Sequence, residues 1–288
     1  MKYPQMKKIK EEVEAFEKWR EYIKRRGMDY REMYNIVGEI SPKRLKTQEE
    51  IQKFLETIGK RKTYAGIYIS YLVNEVYPER KIKLNLKKLT RLSFLGVYNT
   101  EKIWILEGNT ENFVGQGMKG GTIIVKGDVG KDIGDDMKDG KIIIKGSCNG
   151  NVGVNMEGGE IVIEGDVGDV VGRDMKGGAI KIKGNAGNYI GTNMEGGMIE
   201  IKGNAGDFIG RGMKGGAIKI NGDVGDSIGK DMRGGIIEIK GIIMGNAGTG
   251  MKGGKIIAQD IGGSVGNGMR GGAIIIKERQ LIFTSRLR

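Results

Sequence analysis

The sequence predicts an all-β right-handed parallel β-helix of about nine 19-residue turns, preceded by a small, mainly α-helical N-terminal domain. Three observations predict this fold. Glycine makes up 52 of the 288 residues, and 47 of these glycines follow residue 100. Methionine recurs in that part of the chain at a nearly constant interval, and each methionine is followed by a short Ile- and Val-rich segment. Before residue 100, apolar residues recur at helical spacing instead.

Net charge divides the chain at the same place. Residues 1–100 carry a net charge of +10, whereas the remainder carries only +2 of the total of +12. We therefore expect a basic, mainly helical domain over residues 1–100, a β-helix over 101–278 and a C-terminal tail over 279–288.

The first region contains three predicted helices. The first runs from about residue 5 to residue 26, where Ile9 and Phe16 belong to its apolar face. A second begins at Thr47, because Thr47 followed by Glu50 fits a capping box, and Gly59 would end it. A third spans about 62–76, before Pro78. A short strand is predicted next, where apolar and polar residues alternate: Ile82, Leu84 and Leu86.

The methionines of the second region define the repeat. Seven successive intervals are 19 residues and the last is 18. Such a period, with one short strand per copy, indicates a β-solenoid, and the crossover rule favours a right-handed coil. The methionines are Met118, Met137, Met156, Met175, Met194, Met213, Met232, Met251 and Met269.

The position of a residue relative to the methionine of its turn predicts where its side chain lies. Five and seven residues after a methionine the residue is almost always Ile or Val, as at Ile180 and Ile182, so these positions are predicted to point inward. The methionine is expected to fill the adjacent interior corner. Glycine pairs such as Gly215–Gly216 are predicted to form tight corners.

The position six residues after each methionine is predicted to face outward, and we call it the outer column. Its central charges alternate in sign, so we expect opposite charges to pair on neighbouring turns. Both ends are apolar, so we expect the helices to cover the early turns and the tail or a partner to cover the late ones. The outer column consists of Ile124, Ile143, Val162, Lys181, Glu200, Lys219, Glu238, Ile257 and Ile275.

A second outward column contains Val170, Tyr189 and Phe208 on consecutive turns. A stacked aromatic row on the outside of a rod is a candidate protein–protein contact. Packing beneath the helical region would explain the same residues equally well. These three residues and the apolar ends of the outer column are the candidate partner-interface residues.

Composition excludes several kinds of catalysis. The chain has no histidine and one cysteine, which removes Ser-His-Asp and Cys-His catalysis, histidine-bearing zinc sites and cysteine-rich clusters. Four copies match G-x-G-x-x-G, beginning at Gly115, Gly210, Gly248 and Gly266, but each precedes a strand rather than the helix that a dinucleotide site requires. We expect no catalytic residue, cofactor or metal.

We expect no chemical role for the carboxylate cluster of the second turn or for the single cysteine. Four carboxylates cluster in the second turn, yet the calcium-binding repeat pattern is missing, so we expect solvated side chains. Cys148 has no base nearby in sequence, so we expect it to be inert. The four carboxylates are those of Asp132, Asp135, Asp136 and Asp139.

The basic first region leaves an alternative open. Helix, turn and helix followed by a lysine-rich strand loosely fit a winged helix-turn-helix, and a charge of +10 also suits an acidic partner. Against nucleic acid, the would-be recognition helix carries residues typical of packing: Tyr64, Ile67, Tyr68, Ile69, Tyr71 and Leu72.

The repeat text resembles the C subunit of formylmethanofuran dehydrogenase and the GXGXG domain at the C-terminus of the glutamate synthase large subunit. The resemblance covers about residues 102–277 and is closest from Gly184-Asn185-Ala186-Gly187 through Gly196-Gly197-Met198-Ile199-Glu200-Ile201. It implies a right-handed β-helix that holds other subunits or domains in place, with catalysis elsewhere. Residues 1–100 do not resemble either relative.

The sequence therefore predicts a non-catalytic scaffold subunit of an oxidoreductase complex. Its expected partners are the protein subunits of that complex or further copies of itself, and the alternative is a binder of nucleic acid or an acidic partner through the first region. No signal peptide and no long apolar run are present, so we expect a cytoplasmic protein without a membrane anchor.

Overall fold

The computed structural model describes residues 3–43, 45–58, 64–89 and 92–284. Its N-terminal part is helical, and α4 continues directly into a π-helical segment, Leu72–Val76. The helices are α1 Tyr3–Lys24, α2 Tyr30–Ile40, α3 Gln48–Ile58 and α4 Ala65–Tyr71. None of these helices is both long enough and apolar enough to cross a lipid bilayer.

Capping chemistry fixes where two of the helices begin. The Thr47 hydroxyl accepts the backbone N–H of Glu50 at 3.2 Å, and the Glu50 carboxylate accepts that of Thr47, as predicted. Helix α2 was not predicted. Its N-terminus is the capping box of Asp29 and Glu32, a signal that the sequence does contain. The predicted stop at Gly59 lies outside the described residues.

The strands of the described chain form a parallel β-solenoid of about ten turns. Their bounds are β1 Lys81–Asn85, β2 Ile103–Glu107, β3 Lys119–Val125, β4 Val129–Ile133, β5 Asp139–Ile144, β6 Cys148–Val152, β7 Glu160–Ile163, β8 Val167–Val171, β9 Ala179–Ile182, β10 Met198–Ile201, β11 Ala217–Ile220, β12 Ile236–Ile239, β13 Ile242–Ile243, β14 Lys252–Ala258, β15 Asp260–Ile261, β16 Gly271–Ile276 and β17 Leu281–Thr284.

One long sheet runs the whole length of the solenoid. It contains 12 strands, from β1 to β17, and is parallel except at its last pair, where β17 runs antiparallel to β16. Successive turns pair in register, so that Ile161, Ile180, Ile199 and Ile218 form one row. A short sheet of β4, β6 and β8 forms a second side, and single bridges continue it from Val171 to Ile190 and beyond.

The interior follows the predicted register. Both inward Ile/Val positions of each turn are buried, and every repeat methionine from Met118 to Met251 is fully buried, whereas Met269 in the last turn is only half-buried. The turn that begins at Phe94 has Asn99 in the methionine position. The methionine spacing therefore reveals only part of that turn.

The helical region closes the first end of the solenoid. Strand β1 begins the long sheet, and α3 packs beside it. The Gln48 side chain accepts the backbone N–H of Lys83 at 2.9 Å, while Gln52 both accepts from and donates to the backbone of Asn85. One hydrophobic core is continuous through both regions.

Two expectations for the outer column are corrected. As far as Thr284, the described part of the tail does not cover the late turns. Instead β17 extends the sheet, and Ile282 pairs beside Ile275 with 67% of its surface exposed. The charges of Lys181 and Glu200 also pair differently, because each of these two side chains reaches a partner outside the outer column. Lys181 contacts Glu160 at 2.6 Å, and Glu200 pairs with Lys202 on its own side of the sheet.

Candidate functional site

The predicted aromatic column is part of a longer row, which we call the ridge. Its members recur every 19 residues, and all adopt the left-handed conformation, with φ between 50° and 65°. Glycine, asparagine and aspartate accept this conformation most readily, and a β-branched or bulky residue rarely does. The ridge consists of Phe94, Phe113, Asp132, Asn151, Val170, Tyr189, Phe208 and Ser227.

Hydrogen bonding between turns explains this backbone conformation. The Tyr189 N–H donates to the carbonyl of Asp207 at 2.9 Å, and the Phe208 N–H donates to that of Asp226 at the same distance. The N–H groups of Phe94, Phe113 and Val170 donate to the following turn in the same way, so the left-handed conformation goes with this bond between turns. Holding Val170 or Phe208 in it costs about 1–3 kcal/mol, so folding alone does not favour these residues here.

The first part of the ridge is covered by the helical domain. Phe94 and Phe113 stack with centroids 4.5 Å apart and planes 5° from parallel. Tyr30, the first residue of α2, packs 4.5 Å from Phe94 and 5.5 Å from Phe113, and Tyr64 lies 5.8 Å from Phe94. These rings form one of the contacts between the helices and the solenoid, in addition to the packing of α3 beside β1.

The candidate residues repeat the same arrangement farther along the ridge. Tyr189 and Phe208 stack with centroids 5.0 Å apart and planes 4° from parallel, beside the half-buried Val170. Tyr189 is 38% exposed. Within the described residues, the ring contacts of the helical domain end at Phe113, four turns before Tyr189.

The middle of the ridge is polar and lies beside partly buried acid. Asp132 accepts a hydrogen bond from the Asn151 side chain at 2.7 Å. Burial, and then the charge of Asp132, raises the pKa of Asp135 to about 7, and its buried Oδ1 has no hydrogen-bond partner in the described chain. The prediction of a solvated carboxylate is therefore wrong for Asp135, because this residue is half-buried and its Oδ1 atom is buried.

Cys148 is a structural residue. It is buried, and its thiol donates to the carbonyl of Gly130 with an S–O distance of 3.2 Å. Burial raises the pKa of the thiol to about 11, so the reactive thiolate is disfavoured at neutral pH. Among the described residues, no group of three or more potential His, Cys, Asp or Glu ligands is arranged to hold a metal ion.

The outer column lies on the long sheet, whereas the ridge lies on the short sheet and the turns that continue it. The structure therefore does not bring the two sets of candidate residues together. The five apolar candidates of the outer column are all half-buried: Ile124, Ile143, Val162, Ile257 and Ile275.

A basic groove of about 460 Å³ on the later turns was not predicted from the sequence. Its signal is the residue that directly follows each methionine, which is Lys or Arg in four consecutive turns. The groove is lined by Asp174, Asn193, Arg211, Gly212, Lys214, Asp231, Arg233 and Lys252.

The family model of the GXGXG motif matches residues 35–201, which is more than half of the chain. The chain belongs to the GXGXG motif family. Its motif has a clear physical basis at Gly115-Gln116-Gly117, where both glycines are left-handed. A Cβ added to Gly115 would lie 2.5 Å from the Ile142 Cδ1, so this corner packs directly against the inward ladder.

The family match differs from the expected limits of about 102–277. It begins within α2 and ends at the last residue of β10, so it includes part of the first region. The structure gives a reason, because β1 and the turn starting at Phe94 already belong to the solenoid. No curated protein matches the chain significantly.

Proposed function

We propose that this GXGXG protein is a non-catalytic scaffold subunit, which docks another subunit of an oxidoreductase complex onto Val170, Tyr189 and Phe208. The observation that carries the proposal is the ridge itself. The chain docks its own helical domain onto the stacked pair Phe94–Phe113, and it presents a second stacked pair, Tyr189–Phe208, on the same column.

The two stacked pairs are chemically equivalent surfaces. Both consist of parallel rings on left-handed backbone, on successive turns of one column. Tyr30 and Tyr64 cover the first pair with aromatic faces and edges. A protein partner that offers an aromatic or apolar side chain would cover the second pair in the same way, and tyrosine is enriched among residues that dominate binding energy.

Strain at these positions supports a binding role. A left-handed Val170 and Phe208 lower the stability of the free chain, whereas Asn151 occupies the same position of its turn at little cost. Residues that oppose folding preference are expected at functional sites.

The kind of complex is inferred from the resemblance to the C subunit of formylmethanofuran dehydrogenase and to the glutamate synthase domain. In both relatives, the resemblance implies that the solenoid positions other subunits or domains while chemistry occurs elsewhere. A partner among oxidoreductase subunits follows from that inference.

The test replaces both rings with the residue that the ridge already uses. Tyr189→Asn with Phe208→Asn is expected to fold, because asparagine fits this backbone at Asn151. Ser227→Asn is the matched control on the same ridge. Tagged full-length proteins are purified from the source cells, and the retained subunits are identified by mass spectrometry.

We expect the wild type and the control to retain oxidoreductase subunits and the double variant to lose them. A wild type that retains no such subunit, or a double variant that retains all of them, would contradict the proposal. If the solution mass of the wild type is twice that of the double variant and no other subunit is retained, the partner is a second copy of this chain instead.

A further inference from the structure

The residue directly after each repeat methionine forms a column along one corner of the rod. Its backbone position is the same in every turn, because the N–H groups of Arg233, Lys252 and Arg270 donate to Met213, Met232 and Met251 respectively, each at 2.7 Å. The column consists of Lys119, Lys138, Glu157, Lys176, Glu195, Lys214, Arg233, Lys252 and Arg270.

Charges in the first part of this column compensate one another. Glu157 lies 3.5 Å from Lys138 and 3.9 Å from Lys176, and Glu195 lies 2.7 Å from Lys214. From Lys138 to Lys214, acidic and basic residues alternate between neighbouring turns, which is the arrangement that stabilises adjacent strands.

The last part of the column has no such compensation. Four cations follow one another from Lys214 to Arg270, and Arg233, Lys252 and Arg270 form no ion pair with any described residue. Like charges on neighbouring strands are destabilising. Three of these cations, Lys214, Arg233 and Lys252, line the basic groove together with Arg211. Arg270 follows them on the next turn, beyond the residues that line it.

The groove remains cationic when its own carboxylates are counted. Asp174 and Asp231 line it together with the four basic residues, so two negative charges face four positive ones. Asp174 already lies 3.9 Å from Arg173, outside this set. Glu195 neutralises Lys214 from the preceding turn. Arg211, Arg233 and Lys252 then remain as the positive charges of the groove, opposed by the single carboxylate of Asp231.

We propose that this basic groove binds the acidic face of an α-helix from a partner protein. Neighbouring turns of the solenoid are ~4.8 Å apart, so Lys214, Arg233 and Lys252 span ~10 Å of the groove, and Arg270 on the next turn extends the row to ~14 Å. Carboxylates at positions i, i+4, i+7 and i+11 of a helix recur about every 5.4 Å along its axis. This mismatch is small enough for long Arg and Lys side chains to absorb.

Other linear polyanions fit this spacing less well. Side chains on one face of an extended strand recur at about 6.6–6.8 Å, and phosphates along one strand of duplex DNA at ~3.4 Å of helix axis. Single-stranded nucleic acids are also bound by stacking on aromatic rings, and none of the described residues that line the groove is aromatic. The proposal does not depend on the ridge, whose residues do not line the groove.

The test variant restores alternation of charge in the full chain. Arg233→Glu with Arg270→Glu gives the downstream column the same pattern as the upstream one, so the variant is expected to unfold at the same temperature or higher. The matched control, Lys131→Glu with Lys240→Glu, makes the same change in net charge at exposed lysines outside the groove.

Three probes separate the possible ligands. The first is a stapled, alanine-based helical peptide with glutamates at i, i+4, i+7 and i+11. The second has the same composition, with its glutamates divided between opposite faces, and the third is a single-stranded oligothymidylate. Binding is measured by fluorescence anisotropy over a series of salt concentrations.

We expect the one-faced peptide to bind at least about tenfold more tightly than the other two probes, with affinity falling as salt rises. The groove variant is expected to lose at least about tenfold in affinity for it, while the control retains wild-type affinity. Equal binding of the two peptides, tighter binding of the oligonucleotide, or no binding at low salt would overturn the proposal. So would equal binding by the groove variant.

Discussion

At the scale of single residues, the repeat is held together by side chains that hydrogen-bond to the next turn. The Asp166 carboxylate accepts the backbone N–H of Asn185 at 2.7 Å, and the Asn185 side chain then accepts that of Asn204 at 2.9 Å. The glycine before each ladder residue is part of this arrangement. A Cβ on Gly184 would lie only 2.4 Å from the Asp166 Oδ1, so a side chain there would displace the hydrogen bond.

The second glycine of a corner pair is predicted to be irreplaceable for two reasons. Gly197 has φ of +84°, and an added Cβ would lie 2.7 Å from the carbonyl oxygen of Gly178. We expect Gly197→Ala to lower the free energy of unfolding by more than about 2 kcal/mol, as measured by chemical denaturation.

Gly27 provides the matched control for that prediction. It also has positive φ, +57°, but nothing lies within 4 Å of its added Cβ. Gly27→Ala should therefore cost only the backbone strain, about 1 kcal/mol. Equal losses in the two variants would show that close approach between turns contributes nothing.

The partly buried Asp135 predicts a dependence of stability on pH. Because its pKa rises from 3.8 to about 7 on folding, the folded state binds more protons than the unfolded state between these values. Stability therefore decreases as pH rises through this range, since the folded protein must then bury a charge. Asp135→Asn, which cannot ionise, should raise the melting temperature more at pH 8 than at pH 4.5.

The comparison is made by thermal denaturation of both proteins at the two pH values. Asp139→Asn is the control, because Asp139 is exposed in the same part of the chain and is not among the charges that raise the pKa of Asp135. A stabilisation by Asp135→Asn that is the same at both pH values would be inconsistent with an ionisation as its cause.

At the scale of elements, the two ends of the long sheet are treated differently. Side chains of α3 satisfy the exposed backbone edge of β1, whereas β17 at the other end carries Ile282 with most of its surface exposed. Exposed edges favour pairing with other chains, so the helical region protects the first end of the rod from such association.

This protection can be measured directly. Gln48→Ala with Gln52→Ala removes the acceptors for the N–H groups of Lys83 and Asn85, so their amide hydrogens should exchange with solvent at least about tenfold faster. Hydrogen exchange of the full chain provides the readout. Lys53→Ala changes the exposed side of the same helix and should leave these two amides unaffected.

Much of the solenoid can be predicted from the sequence because the same residue types recur at a constant interval of 19 residues. Fixed spacing from each methionine identified the inward rows and the corners, and the stacked pair Tyr189–Phe208 followed from the same register. The turn before Met118 is predicted from the sequence only in part, as an incomplete turn over Trp104 to Asn109, because Asn99 replaces methionine there. Its amide hydrogen-bonds to the backbone of Lys102 and Gly120, and this role is visible only in three dimensions.

The ion pairs of the outer column and the cover of the first stacked pair could not be predicted correctly from local sequence patterns. The first depends on the length of the side chains, and the second depends on contacts between residues far apart in the chain. Alternating charges in the outer column predicted pairs along it, but Lys181 is long enough to reach Glu160 diagonally. Tyr30 packs on Phe94 and Phe113 although it is far from both in sequence, so no local pattern predicts this contact.

At the scale of the whole molecule, stability should depend on position along the rod. Every turn contacts its neighbours, and the core is continuous from the helices onward. The last turn packs against a complete turn on one side, and on its other side only the short strand β17 pairs with it. Solenoids of this kind gain stability from interfaces between adjacent repeats, so their ends open more easily than their centres.

Equivalent isoleucines in the centre and at the end test this gradient. Ile199 and Ile274 are both fully buried on the same inward row. Ile199→Ala is expected to lower the free energy of unfolding by about 2–5 kcal/mol. Ile274→Ala should cost less in global unfolding, and should instead speed hydrogen exchange within β16. Equal global losses, with exchange in β16 unchanged, would contradict the gradient.

Because each turn adds the same step along the axis, the number of turns between two ridge residues sets the distance between them. Tyr189 lies 95 residues after Phe94 on the ridge, which is five turns or ~24 Å. Removing one 19-residue period between them would bring the two stacked pairs closer by a single step of ~4.8 Å, while every remaining residue kept its register. Gain or loss of whole repeats can therefore change the spacing between docked partners without redesigning either surface.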